Sequence, residues 1–342
     1  MIGPTLELVE AGQDLSMDQM ADAVGTIMEG KSTEDQISRL LVGLHKKGES
    51  VEEVAGAALA MRRHMTPIHS MRPDLVDVVG TGGDGSRTFN ISTAAALVTA
   101  AAGVPVAKHG NRAMTSKTGS ADVLAELGVN IKADVPTVEA CLEELGICFC
   151  FAPLLHKAMK HVSHVRKKLG TPTLFNILGP LANPAGAQLQ LLGVSSPELQ
   201  VIMADVLNML ECRRALVVHG EGGLDEVTLC GETQVIEIND GQRQEYTWTP
   251  EDFGLEKIDI EDIRVDGTAA SAQRIRGVLQ NRPGPERDIV VANTAAALWL
   301  AGRGATVGQC VPLAVEALES GAAADLLANL VERTNEPVTS SK

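Results

Sequence analysis

A glycine-rich segment is the first part of the sequence whose residue types suggest chemistry. Residues 80–85 (GTGGDG) directly follow a short apolar run, 75–79, that has the character of a β-strand. Glycines permit positive φ angles and let a ligand approach the main chain closely. The segment leads through 90–93 (NIST) into a predicted helix, whose first N–H groups and dipole favour phosphate. The alternative is an ordinary glycine-rich turn, and the pattern matches neither a dinucleotide-binding nor a Walker loop.

Two basic segments stand in similar positions. Residues 108–112 (KHGNR) follow a second predicted strand, 104–107, and combine two cationic side chains with the open backbone of Gly110. This combination suits a substrate that carries phosphate. Residues 116–122 (SKTGSAD) lead into another predicted helix and could bind phosphate or act only as its N-cap. Taken alone, the two interpretations of this segment are equally good.

An acidic segment follows a later predicted strand. Residues 219–226 (HGEGGLDE) end in the neighbouring acids Asp225 and Glu226. Mg²⁺ prefers oxygen ligands and is often shared with substrate phosphates, although a solvated loop is the commoner role of two adjacent acids. A binding site is favoured over a solvated loop because four such segments occur together. One is glycine-rich, two are basic and one is acidic, and each stands at a predicted strand end or helix start. Together they predict a site for a pyrophosphorylated sugar with Mg²⁺.

A fifth segment, 153–184, is rich in prolines, histidines and cations. Its cluster at 166–168 (RKK) is of a kind that usually forms a solvated helix face. Its histidines, His156, His161 and His164, lack the spacing of a metal-binding H-E-x-x-H helix, so structural roles are predicted for them.

The surrounding pattern predicts an α/β fold with a small helical domain at the N-terminus. Ser16, Thr33 and Ser50 each precede Gln or Glu by three residues, the spacing of a helical capping box. From residue 75 onward, predicted strands alternate with predicted helices, which implies a mainly parallel sheet covered on both faces. We expect a helical domain at 1–72 and an α/β domain at 73–342, with an antiparallel addition to the sheet at 228–238.

Composition excludes several other classes of protein. With a formal net charge of −15, the chain is a poor candidate for nucleic-acid binding, which needs a basic face. The N-terminus lacks the basic start of a targeting segment, and the most apolar stretch, 94–107, is too short to cross a membrane. The close pair Cys148 and Cys150 has no zinc spacing, so reduced, buried thiols in a cytoplasmic protein are predicted.

The motifs, taken in order, resemble those of the anthranilate phosphoribosyltransferases of tryptophan biosynthesis. The matching residues are GTGGD (80–84), NIST (90–93), KHGNR (108–112), GSAD (119–122), FN and GPL (175–181), and HG with LDE (219–226). The resemblance covers nearly the whole chain. It departs at Ala113 and Thr115, where serine is common in the family, and at Pro172, where an arginine is usual.

The resemblance implies transfer of the phosphoribosyl group of phosphoribosyl pyrophosphate to anthranilate. It also implies the phosphoribosyltransferase-like fold of a helical domain plus a larger α/β domain, with segments near 165–189 joining the helical domain. A homodimer is implied as well, and we expect it also because so small a helical unit would leave apolar helix faces exposed. Mg²⁺ is implied at Ser92, Asp225 and Glu226. Contacts with phosphoribosyl pyrophosphate are implied for Gly80, Gly83, Asp84, Thr88, Asn90, Ile91, Ser92, Thr93, Lys108, His109, Gly110, Asn111, Arg112, Ala113, Met114, Thr115, Ser116 and Ser120.

The resemblance implies that anthranilate contacts Gly80, Asn111 and Arg166, and that Arg166 holds its carboxylate. No general base is obvious. His109 is the nearest candidate in sequence, but a structural histidine is at least as good an interpretation.

Two rival functions remain. Pyrimidine-nucleoside phosphorylases share the fold but carry a serine and a glycine run after Lys-His, where this chain has residues 110–112 (GNR). A non-catalytic relative that binds nucleic acid or a regulatory ligand should lose the acidic pair or Arg166 and gain basic surface. The chain keeps those acids and that arginine and is strongly acidic.

Overall fold

The computed structural model describes residues 2–113 and 118–336, and the chain begins in a group of antiparallel helices. The three predicted capping boxes, at Ser16, Thr33 and Ser50, all form. The side chain of each cap residue accepts the N–H three residues on, and its backbone N–H donates to the Gln or Glu side chain at that position. Of the site residues implied by the resemblance, Met114, Thr115 and Ser116 lie outside the described residues. The N-terminal helices are α1 (Gly3–Glu10), α2 (Met17–Met28), α3 (Glu34–Lys47) and α4 (Val51–Arg63).

A seven-stranded sheet forms the centre of the rest of the chain, in the order β3-β2-β1-β4-β5-β6-β7. Strands β1 to β5 are parallel, and β6 and β7 are antiparallel additions at one edge. The prediction of a mainly parallel sheet is confirmed. The strands are β1 (Val76–Gly80), β2 (Val106–Gly110), β3 (Ile147–Phe151), β4 (Leu189–Gly193), β5 (Arg214–Gly220), β6 (Thr233–Asn239) and β7 (Gln242–Trp248).

Helices cover both faces of the sheet. Alternate residues of a strand point to opposite faces, so Leu191 and Leu216 join one apolar core while Leu192 and Val217 join the other. The helices after β1 are α5 (Ile91–Ala101), α6 (Ser120–Glu126), α7 (Val135–Leu145), α8 (Ala152–Leu155), α9 (Lys160–Leu169), α10 (Pro197–Met209), α11 (Thr268–Leu279), α12 (Pro285–Leu300), α13 (Val307–Glu319) and α14 (Ala322–Asn335).

The N-terminal helices are not an isolated unit. Helix α4 packs on α10, and α9 packs on α2 and α3, with the ring of His161 against Gly30 at the end of α2. The core of the N-terminal helices is therefore continuous with one face of the sheet and includes Val162 and Val165 of α9. None of the exposed large apolar side chains in the described residues lies on α1 to α4. The expectation that those helices would expose an apolar face is wrong, because α9, α10 and the segment 174–182 cover it.

The strand order creates a crevice at the carboxyl edge of the sheet. Strands β1 and β4 are neighbours, although the chain passes first from β1 to β2 and β3 on the other side. Open α/β sheets bind ligands at such a switch point, just beyond the carboxyl ends of the strands. No helix in the described part of the chain has the length and apolar character needed to cross a membrane. The six cysteines are free, and the Sγ atoms of Cys148 and Cys150 lie 3.8 Å apart without a bond.

Candidate active site

Asp225 lies in the crevice between the ends of β1 and β4. Gly80 and Gly193, the last residues of these strands, are paired across the sheet. A Cβ on Gly193 would overlap the backbone of Asp225, and a Cβ on Gly80 would overlap its carboxylate. The N–H of Gly82 donates to Asp225 Oδ2 at 2.7 Å. Two glycines at the strand ends therefore make the room that this partly buried acid occupies.

Gly193 was not among the predicted site residues. The only local signal in the sequence is a glycine at the end of an apolar run, and many strands end in this way. Its importance depends on Asp225, which is distant in sequence, so no local pattern indicates it.

Glu226 joins the acidic segment to the start of α5. The N–H of Ser92 donates to Glu226 Oε1 at 3.0 Å. Ser92 lies in the first turn of α5, where backbone N–H groups have no partner within the helix. Burial raises the pKa of Glu226 to about 7, and Lys108 opposes that increase. Burial also raises the pKa of Asp225, and the nearby charges of Asp84 and Glu226 raise it further.

Lys108 lies close to Asp225 and Glu226, and its side chain is buried. Its Nζ donates to Val78 O at 2.6 Å and to Ser92 Oγ at 3.3 Å, and the residue is 4% exposed. Burial lowers the pKa of Lys108, while the charges of Asp77, Glu226 and Asp225 raise it. The sequence-based boundary of this strand is wrong, because β2 continues to Gly110 instead of ending at residue 107. Lys108 is thus part of the sheet, where its positive charge offsets the negative charges of Asp77, Asp225 and Glu226.

His109 is held as a neutral side chain with both ring nitrogens occupied. Nδ1 lies 2.9 Å from Gly179 O and must donate to it, which leaves Nε2 as the acceptor of the neutral ring. His156 Nε2 lies 3.2 Å from that atom. Burial lowers the pKa of His109 to about 3 and that of His156 to about 4. These contacts favour the structural interpretation of His109 over the general base.

Asp122 organises the loop between β2 and α6. Its Oδ2 accepts the N–H groups of Ala113 and Gly119, at 2.9 and 3.2 Å. Its Oδ1 lies 2.6 Å from Arg112 Nη1, so part of the Arg112 charge is paired within the protein. Ser120 Oγ donates to Asn111 O at 3.4 Å. Helix α6 starts at Ser120, and its N-cap residue is Gly119, which makes no side-chain cap hydrogen bond. The two interpretations of segment 116–122 therefore both stay open.

Arg166 lies in the last turn of α9, on the chain segment that leaves the carboxyl end of β3. Its Nη2 donates to Asn176 Oδ1 at 3.1 Å, and its guanidinium lies 5.7 Å from the ring centre of Phe175. Burial lowers the pKa of Arg166. Over the ranges 2–113 and 118–336, no carboxylate forms an ion pair with this side chain. A half-buried guanidinium without a carboxylate partner is suited to an anionic ligand.

Comparisons with known proteins agree with the family resemblance of the sequence motifs. A family model described as the a/b domain of a glycosyl transferase family matches residues 72–324, and the corresponding helical bundle domain matches 4–65. An anthranilate phosphoribosyltransferase of Rhodopirellula baltica is 50% identical over 321 residues, which are 94% of each chain. The chain belongs to the anthranilate phosphoribosyltransferase family.

Solved structures of this family share the fold. The crystal structure of the Thermus thermophilus anthranilate phosphoribosyltransferase matches with a TM-score of 0.91 and 42% identity, and the match covers 97% of this chain and 99% of that one. The enzyme of Saccharomyces cerevisiae, in complex with PRPP and Mg, matches with a TM-score of 0.88 and 30% identity, over 97% and 98% of the two chains.

The site residues implied by the resemblance fall into two groups in this structure. Direct contacts link the glycine loop, the start of α5, β2 and the acidic segment, and these bring Gly80, Ser92, Lys108, Asp225 and Glu226 together. Arg166 belongs to a second group, on α9, whose segment reaches β2 through the contact between Gly179 and His109. The sequence therefore predicted correctly that the glycine-rich and acidic segments meet at one edge of the sheet.

Two predicted contact residues are buried within α5. Ile91 is fully buried, and its N–H donates to Phe89 O at 2.7 Å. Thr93 is 1% exposed, and its hydroxyl has no hydrogen-bond partner among residues 2–113 and 118–336. Any contact that Thr93 makes with a phosphate would therefore run through its backbone N–H, which lies in the first turn of the helix.

Proposed function

We propose that this protein transfers the 5-phosphoribosyl group of phosphoribosyl pyrophosphate to anthranilate, giving N-(5-phosphoribosyl)anthranilate and pyrophosphate. This reaction is the second step of tryptophan biosynthesis from chorismate. The observation that carries the proposal is the crevice at the ends of β1 and β4. There the partly buried acids Asp225 and Glu226 meet a glycine loop and a helix start. Arg166, on the segment that follows β3, offers a guanidinium that pairs with no carboxylate among the described residues.

Phosphoribosyl pyrophosphate would lie along the glycine loop and the first turn of α5. The backbone N–H groups of Gly83 and Asp84 and the first-turn N–H of Thr93 are donors suited to phosphate oxygens. Thr88 and Asn90, between the loop and the helix, add a hydroxyl and an amide. The loop that begins at Gly110 would close over the other side of the substrate, with Ala113 and Ser120 as contributors.

Mg²⁺ fits the chemistry of the acidic segment. Asp225 and Glu226 are partly buried, the loss of solvent around their carboxyl groups raises the pKa of each, and the charge of Asp84 raises it further. A divalent cation would offset that repulsion, and the Ser92 hydroxyl offers a further oxygen. Within the described residues, no three His, Cys, Asp or Glu side chains converge as a protein-only metal site requires. This agrees with Mg²⁺, which commonly takes one or two carboxylates and completes its shell with water and substrate phosphates.

Anthranilate would place its carboxylate at Arg166, with Asn111 and Gly80 lining the path to the ribose. One guanidinium donor of Arg166 is occupied by Asn176 at 3.1 Å, which holds the side chain and leaves the other donors for a carboxylate. The planar donors match two carboxylate oxygens better than a lysine would.

The reaction breaks the bond from ribose C1 to the pyrophosphate oxygen and forms a bond from C1 to the anthranilate nitrogen. Pyrophosphate leaves with the electron pair, and bound Mg²⁺ would neutralise its developing charge. The N–H donors of the loop and of α5 are fixed before the reaction and favour that same charge. The protein's main contribution is positioning, worth on the order of 7–11 kcal/mol at best. Because both His109 nitrogens are occupied, His109 is not available as the base, and the amine proton would pass to solvent or to the leaving pyrophosphate.

The remaining proposals concern organisation. We propose a cytoplasmic homodimer, supported by family membership and no longer by exposed faces on α1 to α4. The domain division at 72/73, with the segments near 165–189 joining the helical domain, is supported by the ranges of the family models and by the packing of α9 on α2 and α3.

An activity assay tests the proposed function. The purified protein is mixed with anthranilate, phosphoribosyl pyrophosphate and Mg²⁺, and loss of anthranilate fluorescence is followed, with each component omitted in turn. We expect the loss to require all three. A parallel reaction with thymidine and inorganic phosphate tests the nucleoside phosphorylase alternative. Release of thymine in that reaction, without consumption of anthranilate in the first, would overturn the proposal.

A further inference from the structure

Residues 263–265, which are distant in sequence, form hydrogen bonds with residues 86–89, the stretch between the glycine loop and α5. Phe89 N–H donates to Ile263 O at 3.0 Å, and Val265 N–H donates to Arg87 O at 2.9 Å. Residues 88 and 264 thereby pair as a short antiparallel bridge. The side chain of Arg264 adds a contact, with its Nε donating to Ser86 O at 2.9 Å. The backbone from residue 86 to residue 89 is therefore fixed from outside the site.

Ser271 forms two reciprocal hydrogen bonds with Asn90, the residue that follows this stretch. Ser271 lies near the start of α11 and is fully buried. Its Oγ accepts the backbone N–H of Asn90 at 3.0 Å and lies 2.8 Å from Asn90 Oδ1, to which it donates. A serine hydroxyl has a single proton to donate. If the Asn90 amide were turned over, Nδ2 would face the Ser271 hydroxyl and could not accept its proton. The hydrogen bond therefore fixes Oδ1 as the end of the amide that faces α11.

The same contact determines what Asn90 presents to the crevice. With Oδ1 bound to Ser271, the Nδ2 group is the free end of a half-buried side chain, and no residue in 2–113 or 118–336 accepts its protons. An amide donor at this position, between the glycine loop and the first turn of α5, suits the oxygens of a ribose phosphate or pyrophosphate.

We propose that Ser271 is a positioning residue for phosphoribosyl pyrophosphate binding, which acts by fixing the rotamer and amide orientation of Asn90. This inference rests on the proposed function. Ser271 itself does not touch the substrate. Its contribution is to order Asn90 before binding, so that the substrate does not have to immobilise a free side chain.

The test begins with Ser271→Ala. We expect the Kd for phosphoribosyl pyrophosphate in Mg²⁺, measured by calorimetry, to rise roughly three- to tenfold, the effect of about one net hydrogen bond. The KM for this substrate should rise in parallel, while kcat with both substrates saturating should change less than about twofold, because the groups that act on the reacting bond stay in place.

Thr334→Val is the matched control. Thr334 is also a buried hydroxyl that joins a helix to a distant backbone, since its Oγ1 accepts Asn130 N–H at 3.1 Å and donates to Leu330 O at 2.7 Å. Its loss should lower thermal stability to a similar extent but leave the Kd for phosphoribosyl pyrophosphate unchanged. A purely structural role for Ser271 predicts that both variants behave in this way.

A double-mutant cycle with Asn90→Ala decides whether Ser271 acts through Asn90. We expect Ser271→Ala to add no further increase in Kd when Asn90 is already alanine. The same increase in both backgrounds, or an unchanged Kd in folded Ser271→Ala, would overturn the positioning role. Should the alanine variant fail to fold, Ser271→Cys replaces it, because a thiol of similar size is only a weak donor and acceptor. A wild-type protein that does not bind phosphoribosyl pyrophosphate would instead overturn the proposed function, and this role with it.

Discussion

Replacement of Arg166 by alanine gives a prediction whose size follows from the contacts of this side chain. The guanidinium donates to Asn176 Oδ1 at 3.1 Å, and no carboxylate pairs with it within the described chain. Its loss should not disturb the loop that it touches, because Asn176 Oδ1 also accepts Thr173 N–H and the Thr173 hydroxyl, at 3.0 and 3.3 Å. The variant should therefore fold normally and lose only the interaction with substrate.

A charge-assisted hydrogen bond contributes about 1.5–3 kcal/mol. Arg166 is half-buried, so water screens part of its charge and the lower part of this range applies, about 1.5–2 kcal/mol. Removing it should lower kcat/KM for anthranilate roughly 10- to 30-fold. Arg166→Lys keeps the charge but not the planar donors, so its kcat/KM should fall between those of the wild type and the alanine variant.

The assay is initial-rate loss of anthranilate fluorescence at saturating phosphoribosyl pyrophosphate and Mg²⁺. Lys168→Ala is the matched control, because Lys168 is an exposed cation in the same last turn of α9. That variant should keep normal kinetics, and the KM for phosphoribosyl pyrophosphate should stay the same in all variants. Normal anthranilate kinetics in a folded Arg166→Ala protein would refute the assignment of Arg166 to the carboxylate.

The remaining predictions concern the acids, the glycine that makes room for them, and assembly. Replacing Asp225 and Glu226 together by alanine should lower turnover at least roughly tenfold and raise the Mg²⁺ concentration required; unchanged Mg²⁺ dependence in the folded double variant would contradict their role. Gly193→Ala forces a Cβ against the backbone of Asp225, so we expect a loss of about 1–3 kcal/mol in the free energy of unfolding, together with loss of activity. Gly3→Ala, where a Cβ meets no atom within 4 Å, is its control, and equal melting temperatures for the two variants would argue against the steric account. Sedimentation at micromolar concentration should find a dimer, and monomer alone would count against the proposed assembly.

Those parts of the fold that depend on local patterns could be predicted from the sequence. A capping box involves residues only three apart, so Ser16, Thr33 and Ser50 identified the starts of three helices correctly. Strand β7, by contrast, could not be predicted from the sequence. It is an edge strand with mostly exposed polar and charged side chains, so it lacks the apolar alternation by which a strand is recognised.

The site could be predicted in part for the same reason. Glycines and acids at predicted strand ends indicated that Gly80, Asp225 and Glu226 would meet, since the carboxyl ends of parallel strands lie at one edge of a sheet. Gly193 and Ser271 were missed because their roles come from contacts with residues far away in sequence. The interior position of Lys108 was also missed, because the end of β2 was placed three residues too early. A boundary error of this size changes whether a side chain is expected to face solvent or the sheet.

A crystal structure with phosphoribosyl pyrophosphate, Mg²⁺ and anthranilate tests the central claim most directly. We expect pyrophosphate against the loop at 80–85 and the first turn of α5, with Mg²⁺ held at Asp225 and Glu226. We also expect the anthranilate carboxylate within hydrogen-bonding distance of Arg166, with the amine directed at ribose C1. Pyrophosphate bound away from the crevice between β1 and β4, or an anthranilate carboxylate with no contact to Arg166, would contradict the account.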